Sequence, residues 1–327
     1  MIRFCIGLLC GLSIFALLMV GYTTVYVPEK SPTQRHITIE PGNSALTVAS
    51  KLSSNPIEKW AVYLVLVARG QAKHLKAGEF MLPQGLTFAQ HIDAIVLGHY
   101  QVTYRLTFIE GTTLAESLEK LRTAPGMVGD ITQIPSEGML YPDTYHYYRY
   151  GEVRQKFLDK VTHRMQQAVQ RIWNQRARNL PISTPEHLLI LASIVEKETS
   201  HPQEMPQVAE VFYNRLRKNM RLQADPTVIY GLSPARPLGR ELTRADLQSS
   251  HAFNTYVHQG LPPTPIAIPS LAALQAAAHP ATTGALYFVA DGTGGHVFSR
   301  DLPAHRHHHN ALRALRKRNS KTTHQKP

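Results

Sequence analysis

The body of this chain contains no cysteine: the only two among its 327 residues, Cys5 and Cys10, lie in an apolar N-terminal stretch. No structural disulfide can therefore staple the remainder, whose stability has to come from an apolar core that a chain of this length can bury. Also missing are a nucleophile-elbow sequence and a phosphate-cradling glycine loop, so neither serine-hydrolase nor P-loop chemistry has a sequence basis. No internal repeat divides the chain, which excludes solenoid architectures. Acidic residues run out before the C-terminal end: none follows Asp301, whereas Arg313, Arg316, Lys317, Arg318, Lys321 and Lys326 do.

That imbalance accounts for much of the formal charge of +12. Such a charge admits nucleic acid, anionic lipid or an anionic polymer as partner, but a solvated basic tail is the simpler account. Nucleic acid is set aside as a partner if the body is exported.

Export is what the N-terminus predicts. An uncharged stretch runs from Phe4 through Pro28, longer than the roughly 20 residues a spanning helix needs and than the apolar region of about 7–15 residues in a cleaved signal peptide. Tyr22 and Tyr26 fall where interfacial aromatics are expected. The reading is a single uncleaved transmembrane anchor in the inner (plasma) membrane. Arg3 precedes the span, favouring a cytoplasmic N-terminus with the body on the periplasmic or extracytoplasmic side.

Beyond the anchor (1–28) and a polar linker (29–35), the pattern predicts an α+β chain of two modules and a tail. Residues 36–102 show the order β-α-α-β-α: a strand at His36–Glu40, a helix capped by Ser44, a second from about Lys59 to Val67, a strand at Phe80–Leu82 and a third helix from Thr87 to Leu97, ended by Gly98. Residues 103–312 form the larger mixed α+β module. It opens with a strand at Thr103–Phe108 and contains a long helix, from about Glu152 to Ala177, whose face carries Phe157, Val161, Met165, Val169 and Trp173. Residues 313–327 are the basic tail.

Within the larger module, Thr184-Pro185-Glu186 is a strong helix start. The helix it begins is apolar around nearly its whole circumference through Val195, which predicts burial. Glu196 then shares a face with Ala192 and Leu189, and a carboxyl group in such company loses solvation, a condition that suits a general acid. The bland alternative is a helix-end glutamate with access to solvent, or one paired with a base such as Arg215. Glu198 sits comparably on the face of Ile194 and Leu191, so spacing alone does not choose between them. Downstream, Arg221-Leu222-Gln223-Ala224-Asp225-Pro226-Thr227 is dense in groups that can read sugar hydroxyls and acetamides. It can equally be a self-satisfied turn in which Asp225 caps a helix begun by Pro226. The cluster His305, His307, His308 and His309 lacks regular ligand spacing, and no metal or cofactor is expected.

Several segments together resemble the YceG-like (MltG) endolytic murein transglycosylases: Ala192 to Thr199, Asn214-Arg215-Leu216, Arg221 to Gly231, Gly138 to Tyr145, Leu242 to Leu247, Asn254-Thr255-Tyr256, Gly260 to Pro263, Ala278-His279-Pro280 and Leu286 to Gly292. The resemblance also covers the anchor and Leu75-Lys76-Ala77-Gly78, where the family has a LysM-like module. It implies that Glu196, the first glutamate of Glu-Lys-Glu, is the catalytic residue, and that Asn214, Gln223, Asp225, Thr227 and Asn254 bind substrate. It further implies cleavage of the β-1,4 bond between N-acetylmuramic acid and N-acetylglucosamine in nascent peptidoglycan strands, leaving 1,6-anhydromuramic ends and terminating strand elongation. Peptidoglycan synthases are candidate partners. The alternatives are a muramidase that uses Asp225 as second carboxylate and a non-catalytic glycan-binding scaffold. Two departures stand out: Leu232 to Glu241 lacks the family's aromatic-Gly pattern, and Thr264 follows the paired prolines where the family has glycine.

Overall fold

The structure, a computed structural model, describes residues 15, 19–27 and 34–323, with side chains of the last helix described as far as residue 314. They divide into two compact units, Met1–Leu106 with Ala124–Asp130 and Tyr145–Arg154, and Thr107–Thr123 with Ile131–Thr144 and Gln155–Pro327.

The first unit contains β1 (Arg35–Ile39), α1 (Ala45–Leu52), α2 (Pro56–Ala68), β2 (Gly78–Leu82) and α3 (Phe88–Leu97), in the order read from the sequence. β1 and β2 pair antiparallel with Arg35 opposite Leu82 and Ile39 opposite Gly78. Alternation puts Ile37 and Ile39 on one face, where they join Val48, Leu52, Val62, Leu66, Phe80, Leu82, Ile92 and Ile95 in one apolar cluster. The helix starts are chemically specified. Ser44 and Asn55 accept backbone N–H bonds as N-caps, and Thr87 forms a reciprocal capping box with Gln90. Glu79 accepts from Tyr104, His36 and Arg149. The Tyr104 hydroxyl is the main reason its carboxyl stays below the ordinary range.

The predicted membrane anchor has to be corrected. Among the described residues no helix is long and apolar enough to cross a membrane. Residues 1–14, 16–18 and 28 of the predicted anchor lie outside the described residues. What is described of it is tied to the first unit: Val25 is buried in that unit's apolar cluster, and the Arg69 guanidinium lies over the Tyr26 ring at 5.8 Å. The fold class shown is mixed α+β, with no spanning helix among the described residues.

β3 (Thr103–Phe108) pairs with β4 (Asp143–Tyr148), a strand for which the sequence predicts no element. The second unit is mostly helical: α4 (Leu114–Arg122), α5 (Arg154–Gln175), α6 (Pro185–Glu198), α7 (Met205–Arg217), α8 (Asp225–Leu232), α9 (Arg244–Gln248), α10 (Leu271–Ala278), the antiparallel hairpin β5 (Tyr287–Ala290) and β6 (His296–Ser299), and α11 (Leu302–Thr323). All five apolar residues predicted to line one face of α5 are buried. α11 runs into the expected basic tail.

At the centre of this unit α6 packs against α7 and α10. Leu188 through Val195 are all buried, as the apolar circumference required. At about 1.5–3 kcal/mol for each large aliphatic side chain, the six present supply on the order of 10 kcal/mol. That is enough to hold the polar end of α6 in place even where a carboxyl group there is desolvated at a cost of a few kcal/mol.

Candidate active site

α6 delivers Glu196, Lys197 and Glu198 to the wall of an open cavity of about 460 Å³, which is also lined by Glu110, Gly111, Glu116 and Thr199. The opposite wall is set by backbone pairing. Gly111 N–H donates to the Ile268 carbonyl and Ile268 N–H to the Thr112 carbonyl, both at 2.8 Å. Buried Ser193, one turn back along α6, accepts from Ile266 N–H at 3.0 Å. Gly111 adopts φ +73°, a left-handed conformation that suits glycine, and its carbonyl accepts from Lys197 Nζ at 2.9 Å.

Glu196 is half-buried, and its Oε2 accepts from the backbone N–H of Ser270, the N-cap of α10, at 2.9 Å. One carboxyl oxygen is thus fixed by a main-chain donor on the cavity's rim. Glu198 is held differently. Burial pushes its carboxyl up to about 8, the nearby Asp225 carboxylate adds to the rise, and the Arg215 guanidinium opposes it. The upward shift that the sequence led one to look for at this helix end thus falls on Glu198. Arg215, considered from sequence as a partner of Glu196, is buried and donates to the carbonyls of Leu222 and Leu286 at 2.6 and 2.8 Å.

The polar residues expected to bind substrate fall into two groups. Asp225 and Gln223 are exposed. Asp225 is the first residue of α8, but the N-cap is Ala224 and makes no side-chain bond, so Asp225 does not cap the helix. It instead accepts a 2.5 Å bond from the Tyr256 hydroxyl. Burial raises the pKa of that phenol, and the bond to Asp225 raises it further. Gln223 sits at φ +51° with its N–H on the Thr255 carbonyl. Thr227, Asn254 and Asn214 spend their polar atoms internally. Thr227 Oγ1 bonds Thr255 Oγ1 and the Ala224 carbonyl, while Asn254 donates to Ser249 and accepts from Tyr256 N–H. Asn214 donates to the Ala285 carbonyl and accepts from Arg217. Thr227 and Asn254 thereby shape the loops that carry Asp225 and Tyr256, whereas Asn214 ties its helix to the segment before β5.

Sequence reasoning missed Glu137, one residue before the Gly138 segment. It accepts from Leu114 N–H at the start of α4 at 2.7 Å and from the Tyr230 hydroxyl at 3.1 Å. Burial raises its pKa, against the pull of those donors. A glutamate in a loop-rich stretch carries no periodic signal, so only its partners reveal it. Among the described residues no group of three or more histidine, cysteine, aspartate or glutamate side chains could hold a metal ion.

Carboxyl groups in contrasting environments around one open cleft make a candidate acid–base site on a helical body. The chain belongs to the YceG-like family, whose model matches residues 37–311. It is 27% identical over 310 residues to a Bacillus subtilis (strain 168) protein named endolytic murein transglycosylase, covering 85% of each. A Streptococcus pneumoniae (strain D39) protein of the same name is 31% identical over 168 residues, half of this chain but 29% of that protein. The crystal structure of a putative yceG-like protein from Listeria monocytogenes superposes with a TM-score of 0.54 at 24% identity, covering 84% of this chain and 99% of that one, and so shares its fold.

Proposed function

We propose that this chain is an endolytic murein transglycosylase acting on peptidoglycan glycan strands outside the cytoplasm, with Glu196 as the acid and then the base. The observation that carries the reading is Glu196 itself: a carboxyl group on the rim of an open cleft, with one oxygen fixed by the Ser270 N–H. A general acid has to be held within hydrogen-bond reach of the bridging oxygen, and such anchoring orients it. Glu196 gives its proton to the bridging oxygen as the bond to C1 of the muramic residue breaks towards an oxocarbenium-like state. It then accepts the proton of that residue's C6 hydroxyl as the oxygen closes on C1. The proton lost in the first step is regained in the second, and no water enters the product. Intramolecular attack profits from pre-positioning of the C6 hydroxyl.

Glu198 has a supporting role in this reading. Two carboxyl groups close together cannot both ionise cheaply. A protonated Glu198 beside Asp225 limits the negative charge behind Glu196 and leaves Asp225 free to accept from Tyr256 and from a sugar hydroxyl. The LysM-like reading of the first unit remains part of this proposal, as a glycan-positioning module.

Digestion of purified strands in isotopically labelled water tests the reaction. The expected products carry 1,6-anhydromuramic ends without label. Stoichiometric label at new reducing ends, with no anhydro species, would replace the transglycosylase by a muramidase, and intact strands would favour a binding scaffold.

A further inference from the structure

The acidic cavity opens beside a second one of about 330 Å³, and the two share Gly111, Glu116 and Lys197. The second arm has a different character. Ile229, Tyr230, Leu238 and Ile266 make it largely apolar, and Arg236 and Arg240 stand at its edge. It lies against the stretch Leu232 to Glu241, which departs from the pattern of the family.

Most of its charges already have partners. Lys197 Nζ is held by the Gly111 carbonyl. Arg240 is bound through both terminal nitrogens by Asp246, at 2.6 and 3.0 Å. Glu116 is held by the Thr113 N–H in a capping box. Arg236 differs: its carbonyl accepts from Ser233 Oγ at 2.8 Å, which fixes the turn. Its guanidinium makes no hydrogen bond or ion pair among the described residues, and it is exposed at the cavity. One free, permanently charged fork beside an apolar wall suits a single carboxylate on a small, partly apolar group. A polyphosphate or nucleic-acid backbone would call for several cations in a row.

Taking the reading of the cleft as a murein-cutting site, we infer that this arm receives the peptide stem carried on the lactyl group of the muramic residue, with Arg236 pairing a stem carboxylate while Tyr230 and Leu238 pack its alkyl part. The enzyme therefore selects stem-bearing over stripped strands. Sugar recognition sits in the acidic arm, and stem recognition in this one.

The test compares purified strands carrying intact stems with the same strands stripped by an amidase, using the full chain. The kcat/KM ratio is expected to favour stem-bearing strands by about tenfold, the size of one good charge-assisted contact. Arg236→Gln should bring the ratio to near one, Arg236→Lys should retain part of it, and raised salt should erode it. Equal kcat/KM in the wild type, or an undiminished preference in Arg236→Gln, overturns the inference. Calorimetric titration of both preparations covers the case in which neither is cut. Tighter binding of stem-bearing strands that is lost in Arg236→Gln upholds the inference even though the proposed reaction has failed, and equal affinity overturns it.

Discussion

Replacing Glu198 by glutamine should stabilise the protein in alkaline solution while changing little in acid. The glutamate's carboxyl is pushed from the ordinary 4.5 up to about 8, chiefly by burial and then by Asp225. An acid whose folded pKa is raised contributes stability that is fully present below about pH 4.5 and is lost as pH rises through 8, because the unfolded chain releases the proton first. At 1.36 kcal/mol per unit the loss is at most about 5 kcal/mol. The residue keeps part of its surface exposed, so screening reduces the expected loss to roughly 3 kcal/mol. Glutamine preserves the shape and has no proton to lose. Thermal unfolding followed at pH 5, 7 and 9 should therefore show the melting temperature of Glu198→Gln overtaking that of wild type by roughly 6–12 °C at the alkaline end. Parallel pH profiles for the two proteins would refute the reasoning, since they would mean that no buried carboxyl group titrates at this helix end.

Three further outcomes are expected. Glu196→Gln should lower strand cleavage at least ~100-fold with an unchanged melting temperature; near-normal turnover there, with the loss found instead in Glu198→Gln, would move the catalytic role. Gly138→Ala should cost roughly 2–4 kcal/mol in denaturant titration, because Gly138 has φ +77° and an added Cβ would lie 2.8 Å from Pro265 Cβ. A loss under about 1 kcal/mol would show that the loop yields. In the first unit, burial and then the Arg35 charge lower the His91 pKa from 6.5 to about 4. Its stabilising neutral form is kept above pH 6.5 and about 3 kcal/mol is lost as pH falls towards 4; His91→Leu should flatten that acid limb, and an unchanged limb in chemical unfolding would exclude His91 as its source.

Much of this protein was legible before folding, for local reasons. Ser44, Thr87 and Thr184 announce helix starts because a side-chain oxygen that satisfies free N–H groups is encoded within four residues. The buried run from Leu188 to Val195 and the apolar face of α5 could be read because helical period alone decides which residues need a core. The same logic misled at the N-terminus, where an apolar run satisfied the composition of a spanning helix while Val25 found its partners in a protein core. The sequence placed two glutamates at the end of α6 with equivalent claims, and the family resemblance assigned catalysis to the first. Only tertiary contacts separated their environments. Ser270 reaches Glu196 from 74 residues away, and Asp225 and Arg215 set the charge around Glu198 from other helices. The bond between Thr227 and Thr255 and the partners of Glu137 are likewise decided by segments distant in sequence, whereas Asn254 bonds within its own loop. A side chain's chemistry is fixed by its residue type, but its solvation and its partners exist only once the chain has closed around it.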